Sequence, residues 1–155
     1  MPTPDFVLEL RRHVGTAELW LAGVTAVVRR GREVLLVRRS DTGAWTPVGG
    51  IVEPGEPPAV CARREVLEET GVVVTVDRLA SVEVGDPVVY PHGDRVRFLT
   101  HVFACSWVSG EAHPADEESV EVAWCDPDDL PPLAPHFLAR IDAALADEER
   151  TRFER

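Results

Sequence analysis

Apolar positions along the chain change period several times, and those changes mark the elements. Phe6, Leu10 and Val14 recur at helical spacing behind Asp5, which predicts a short N-terminal helix within residues 1–16. From Leu19 the texture becomes β-rich. Leu19-Trp20-Leu21 and Val24-Thr25-Ala26-Val27-Val28 read as strand, Arg30-Gly31-Arg32 as a turn, and Glu33 to Arg39 as the returning strand of a hairpin. Ser40-Asp41-Thr42-Gly43 breaks the pattern, and Trp45 to Gly55 is a short extended stretch ending in a turn. A helix is then bracketed over 57–70. Pro57 and Pro58 suit its first turn, where missing N–H groups cost nothing, and Gly71 suits a left-handed stop. Residues 72–76, 79–84, 95–107 and 120–124 are again β-rich, with turns at Gly85-Asp86-Pro87, His92-Gly93-Asp94 and Ser109-Gly110. Phe137, Leu138, Ile141 and Leu145 predict a C-terminal helix within 134–155, running out into the solvated Asp147-Glu148-Glu149-Arg150. No internal repeat or low-complexity linker interrupts this order, so 1–155 reads as one domain of α+β or layered α/β/α class.

Composition narrows the function. Twenty-seven acidic against 16 basic residues leave a formal charge of −11, which repels nucleic-acid duplexes. No apolar run is long enough to span a bilayer, and the N-terminus lacks a secretory pattern, so a cytoplasmic location is expected. Cys61, Cys105 and Cys125 are odd in number with no C-x-x-C pair, which predicts reduced, packed thiols. A small phosphate ester remains an admissible ligand if divalent cations neutralise part of the acid.

The placement of the acid is therefore informative. On the 57–70 helix Glu65, Glu68 and Glu69 stand at i, i+3 and i+4 and share one face, bordering an apolar arc of Ala59, Ala62, Val66, Leu67 and Thr70. This places the carboxylates at a rim. Three like charges near a helix C-terminus repel one another and oppose the macrodipole, at roughly 0.3–1 kcal/mol each. A cation would relieve that cost, and an oxygen-only set selects Mg²⁺, with Mn²⁺ as the alternative. Arg64 can pair with Glu68 one turn on or reach back to Glu56. Taken alone, E-x-x-E-E describes a solvated helix face more readily than a metal site.

The surroundings of the triplet change that balance. From Gly50 to Val72 the chain reads Gly50, five residues, Glu56, seven residues, then Arg64-Glu65-Val66-Leu67-Glu68-Glu69-Thr70-Gly71-Val72. It resembles the signature of the Nudix hydrolases, G-x₅-E-x₇-R-E-U-x-E-E-x-G-U with U a bulky aliphatic residue, at every fixed and apolar position. The resemblance implies a mixed sheet sandwiched between helices and a loop-helix-loop that presents metal to a diphosphate. It implies that Glu65, Glu68 and Glu69 ligate metal, that the Gly50 carbonyl adds a ligand, and that Arg64 pairs with Glu56. Arg39, at the end of the strand before the signature, matches a place where family members set an arginine against substrate phosphates. The implied reaction is attack of water on one phosphorus of a nucleoside triphosphate or of a nucleoside diphosphate linked to a further group. The general base varies in the family between a signature Glu and an acid of a distant loop. Glu65 is a candidate of the first kind, beside the catalytic Glu69, and Asp116-Glu117-Glu118 supplies others of the second, with Glu118 the first choice.

Other positions are less decisive. Many members read W-x-L-P-G-G where this chain has Trp45-Thr46-Pro47-Val48-Gly49-Gly50, so the proline is displaced by one residue. Pro87 resembles a marker of the ADP-ribose group, and Tyr90 a marker of the dinucleoside polyphosphate group. Trp45 and Tyr90 are candidates for stacking on a base, whereas Phe98, Phe103 and Trp107 in strands are expected in the core. His92 reads as a turn residue, and His13, His101, His113 and His136 have no metal-ligand spacing. The leading expectation is an enzyme acting on a small nucleotide or nucleoside diphosphate derivative. The alternatives are a non-catalytic Nudix module that senses a nucleotide or sugar nucleotide, and an acidic scaffold or Ca²⁺-binding protein, for which no D-x-D-x-D-G loop exists. The N-terminal helix and exposed β edges would suit a homodimer.

Overall fold

The computed structural model describes residues 3–155. Among them are three helices, α1 (Asp5–Val14), α2 (Pro58–Thr70) and α3 (Pro135–Leu145). The strands are β1 (Leu19–Arg30), β2 (Glu33–Arg39), β3 (Trp45–Thr46), β4 (Val48–Ile51), β5 (Val73–Val84), β6 (Val88–Val89), β7 (Arg95–Ser109) and β8 (Ser119–Cys125). They form one mixed sheet, with β1 parallel to β7 along its length and β5 antiparallel to β7 outside it.

The other edge of β1 is shared between two partners, and this positions the site. The hairpin forms as the turn residues predict, with Gly31 at φ 60° and pairs Arg29 to Val34 and Arg30 to Glu33. Beyond it β2 leaves β1 for β3 and β8, and β4 takes the vacated edge from Gly23 to Ala26. Pro47 stands at this exchange, between Thr46 paired with Val37 and Val48 paired with Ala26. Lacking an N–H, proline loses no ladder hydrogen bond at such a crossing. The displaced proline of the sequence thus marks a change of strand partner.

Helices cover both sheet faces, giving an α+β fold in α/β/α layers. Alternation along β1 and β2 sends Val24, Ala26, Val28, Leu35 and Val37 to the α2 side, where Ala62, Val66, Val72 and Phe103 complete a core. Val27, Val34 and Leu36 face α3, packing on Ile141, Ala143 and Ala144. Burial on both faces explains why these strands read as continuous apolar runs. Residues 72–76 and 79–84, two stretches in the sequence pattern, are one strand interrupted by bulges. α3 stops at Leu145, and the chain then returns to the outer edge of β5, where the Val82 N–H donates to the Arg152 carbonyl and the Arg152 N–H to the Ala80 carbonyl. No helix among the described residues is long and apolar enough to cross a membrane.

Candidate active site

The buried face of α2 consists of Cys61, Ala62, Glu65, Val66, Glu69 and Thr70. This is a 3.6-residue stripe in which two of six members are carboxylates. The helix is preceded by extended Pro57 and stopped by Gly71 at φ 70°, as its proline and glycine punctuation predicts. The expectation of three rim carboxylates needs correction. Glu65 is 1% and Glu69 5% exposed, and only Glu68, at 49%, lies in solvent. Leu67, expected in the packed arc, is exposed.

Two neighbouring segments account for the burial. Gly50 on β4 lies so close over α2 that a Cβ there would overlap the Glu65 carboxylate. Glycine at that position is what admits the head group. At the helix end the Ala115 N–H donates to the Glu69 carbonyl (3.0 Å) and the His113 N–H to the Thr70 carbonyl (3.1 Å), satisfying two last-turn acceptors. The 110–118 loop is thereby folded over Glu69. The imidazole of His113 packs against Gly71.

Arg64 joins the carboxylates together. Its Nε and Nη2 donate to the two oxygens of Glu56 at 2.8 and 3.0 Å, while Nη1 donates to Glu65 Oε1 at 3.0 Å and Glu68 Oε2 at 3.1 Å. The sequence offered Glu56 or Glu68 as partner, and the guanidinium holds both. The second oxygen of Glu65 is buried with no hydrogen-bond partner. Burial pushes the Glu65 carboxyl up to about 7 against the pull of Arg64. Burial, with the charges of Glu65 and Asp116, pushes Glu69 up to about 8, opposed in part by Arg39. Glu56 is held below the usual carboxylate range by its bond to Arg64.

A hard divalent cation fits these residues. Two buried carboxylates that resist ionisation, one packed under Gly50 and with its second oxygen unpartnered, are an oxygen donor set deficient in positive charge. The cage is not pre-assembled, however. No group of three His, Cys, Asp or Glu side chains among the described residues is arranged to hold a metal ion, and Glu68 is turned to Arg64.

The remaining sequence candidates are distributed around this centre. Arg39, the last residue of β2, is half-exposed, pairs with Asp41 and contributes to the electrostatics of Glu69. Glu118 lies beside it through the hydrogen bond from the Ser40 N–H to the Glu118 carbonyl (2.7 Å). Asp116, two residues earlier, acts directly on Glu69, a role that no spacing pattern disclosed. Tyr90 is exposed, stacks on His92 at 5.7 Å and is in electrostatic reach of Arg39. Trp45 is half-buried against the α3-side core with Leu130 and Leu133. Phe103 is buried, whereas Trp107, expected in the core, is 38% exposed and donates to the Gly110 carbonyl. All three cysteines are free, with Cys61 and Cys105 buried and their thiols pushed up to about 12 by burial. Two surface grooves, of about 540 Å³ beside Val60 and Val73 and about 420 Å³ beside Arg29 and Arg78, lie apart from the carboxylates.

Comparison with known proteins gives the family. The model of the NUDIX domain matches residues 20–145, and the chain belongs to that family. It is 35% identical over 129 residues to an NAD-capped RNA hydrolase, NudC, of Vibrio cholerae, covering 80% of this chain and 45% of the relative. It is 38% identical over 110 residues to a MutT-like protein of Streptomyces ambofaciens, covering 71% of this chain and 64% of that one. This chain therefore spans about half to two thirds of the length of these relatives. Among solved structures it is similar to an ADP-ribose pyrophosphatase of Streptococcus suis, with a TM-score of 0.65, 26% identity and coverage of 86% of this chain and 98% of that one. A UDP-X diphosphatase shares the fold at a TM-score of 0.67 and 23% identity, over 90% of this chain and 68% of its own.

Proposed function

We propose that this protein is a divalent-cation-dependent pyrophosphohydrolase that cleaves the diphosphate bond of a nucleoside diphosphate linked to a further group, or of a nucleoside triphosphate. The observation that carries this reading is the buried Glu65–Glu69 pair, in which Glu65 packs under Gly50 and keeps one buried oxygen without a hydrogen-bond partner. Such an arrangement has no purpose in a solvated helix face. It suits a site completed by Mg²⁺ or Mn²⁺. The names of the Vibrio relative and the Streptococcus neighbour both denote nucleoside diphosphates carrying a further group, which supports the substrate class.

Glu65, Glu68, Glu69 and the Gly50 carbonyl would hold the cation. When bound, it supplies polarisation of the phosphoryl oxygens and neutralisation of their charge. Arg64 keeps Glu56 and Glu65 in place, and ligation requires Glu68 to turn from Arg64 toward Glu65. Arg39 faces the substrate phosphates from the end of β2. A carboxylate of the 116–118 loop, Glu118 or the Asp116 that lies within electrostatic reach of Glu69, is favoured over the signature Glu65 to accept the proton of the attacking water. The water oxygen then bonds to one phosphorus, the bridging oxygen leaves with the other, and two phosphate-bearing products result.

The test is a panel of nucleotides and nucleoside diphosphate derivatives incubated with Mg²⁺ or Mn²⁺, with products identified by mass. Cation-dependent cleavage in wild type and its loss in Glu69→Gln are expected. Comparable turnover in Glu69→Gln would overturn the metal site, and no cation-dependent cleavage of any member would overturn the function.

A further inference from the structure

One charged pair beside the site is not explained by the reaction outlined above. Arg39 donates from Nε to Asp41 Oδ1 at 2.9 Å and from Nη2 to Asp41 Oδ2 at 2.7 Å. This is a side-on, bidentate grip. It leaves Nη1 and the second hydrogen of Nη2, the end-on edge of the guanidinium, outside the Asp41 pair. That edge presents two parallel N–H groups, the geometry that matches two oxygens of one phosphate.

The carboxylate that grips Arg39 is itself held in a closed turn. The Arg39 N–H donates to the Ala44 carbonyl and the Gly43 N–H to the Arg39 carbonyl, both at 2.9 Å, with Gly43 at φ 68°. The Ala44 N–H donates to Thr42 Oγ1, and Asp41 is kept below the usual carboxylate range first by Arg39 and then by Thr42. On the other side the Ser40 N–H donates to the Glu118 carbonyl, and Arg39 pairs with Ser119 across the β2–β8 ladder. The same loop reaches Glu69 through the Ala115 N–H. Arg39 is thus fixed to the turn and to the loop over α2.

We propose that Asp41 is a positioning residue, which orients Arg39 side-on so that its end-on edge meets a phosphate of the substrate above Glu69. This rests on the hydrolase reading given above. A half-exposed arginine left to itself samples many rotamers, and ordering one such side chain on binding corresponds to about two- to tenfold in affinity. Asp41 does that ordering beforehand. Its negative charge works in the other direction, by competing with phosphate for Arg39, so the sign of the effect separates orientation from competition.

The test is a double-mutant cycle on Arg39→Ala, Asp41→Ala and the pair, with Asp41→Asn as the conservative variant. Steady-state kinetics on the best substrate of the nucleotide panel is one readout. Calorimetric binding of inorganic pyrophosphate in the presence of Mg²⁺ is the other. Asp41→Ala should raise KM and weaken pyrophosphate binding about two- to tenfold with kcat little changed, and Asp41→Asn, which keeps one acceptor, should fall between. In the Arg39→Ala background Asp41→Ala should have no further effect. A lower KM in Asp41→Ala, or an equal rise with and without Arg39, would overturn the role of Asp41 while leaving the hydrolase intact. A wild type inactive on every nucleotide and blind to pyrophosphate would instead sink the function itself, and this proposal with it.

Discussion

Raising the pH without divalent cations should destabilise this protein, and adding Mg²⁺ should reverse the loss at the alkaline end only. Glu65 and Glu69 are lifted from the ordinary value of 4.5 to about 7 and about 8 because the folded chain buries their head groups. An acid whose folded pKa is raised binds its proton more tightly when folded. Its contribution is fully present below about pH 4.5 and is lost as pH rises through the folded value. At about 1.4 kcal/mol per tenfold change in proton affinity, the two groups correspond to roughly 3 and 5 kcal/mol. Their burial needs no discount for solvent, but they interact, so the combined loss is set on the order of 5 kcal/mol. For a domain of this size that is about 10–20 °C in unfolding temperature between about pH 5 and 9. Glu56 and Asp41, whose values are lowered, act in the opposite sense but only as pH falls below the usual carboxylate range.

The assay is thermal unfolding at intervals across that range, in chelator and in millimolar Mg²⁺. In chelator the unfolding temperature should fall as pH rises. In Mg²⁺ it should stay nearly level, because the cation replaces the protons that the carboxylates release. Glu69→Gln places a neutral amide in the same volume, so it should be more stable than wild type at pH 9 in chelator and respond less to Mg²⁺. An unfolding temperature in chelator that is flat or rises with pH would refute the reasoning. So would an equal Mg²⁺ effect at both ends of the range.

The other predictions concern the parts that hold the carboxylates. Glu69→Gln should lose more than the 10–100-fold typical of a residue that only orients a ligand, read as Mg²⁺-dependent formation of the two phosphate-bearing products. Gly50→Ala should displace Glu65, lowering activity and costing about 1–3 kcal/mol by denaturant unfolding, because its Cβ would overlap the carboxylate. Arg64→Ala would leave Glu56 and Glu65 without their shared cation and should cost about 2–4 kcal/mol in the same assay, with Arg64→Lys intermediate. Gly71→Ala should cost about 1 kcal/mol or more, since position 71 has positive φ and its Cβ would meet the His113 ring. Hydrogen exchange at Ala115 should rise in that variant as the loop lifts from α2.

The chain order of elements and the grouping of the candidate glutamates on one helix were legible in the sequence because both depend on local physics. Period-two and period-3.6 patterning marked the strands and helices, proline and glycine set the ends of α2, and the spacing of Glu65, Glu68 and Glu69 placed them on one helix face. The signature from Gly50 to Val72 identified the family by itself. What spacing could not decide was how those residues meet the rest of the chain. The exchange of β2 for β4 along one edge of β1 depends on a ladder between residues far apart in the chain, and it is this exchange that lowers Gly50 onto Glu65. Folding of the 110–118 loop over the end of α2 encloses Glu69 and brings Asp116 to it. Helical spacing therefore predicted an exposed acidic stripe, while two of its three carboxylates became buried. Tertiary structure alone made them groups that resist giving up their protons, because desolvation is set by what covers a side chain and not by its neighbours in sequence.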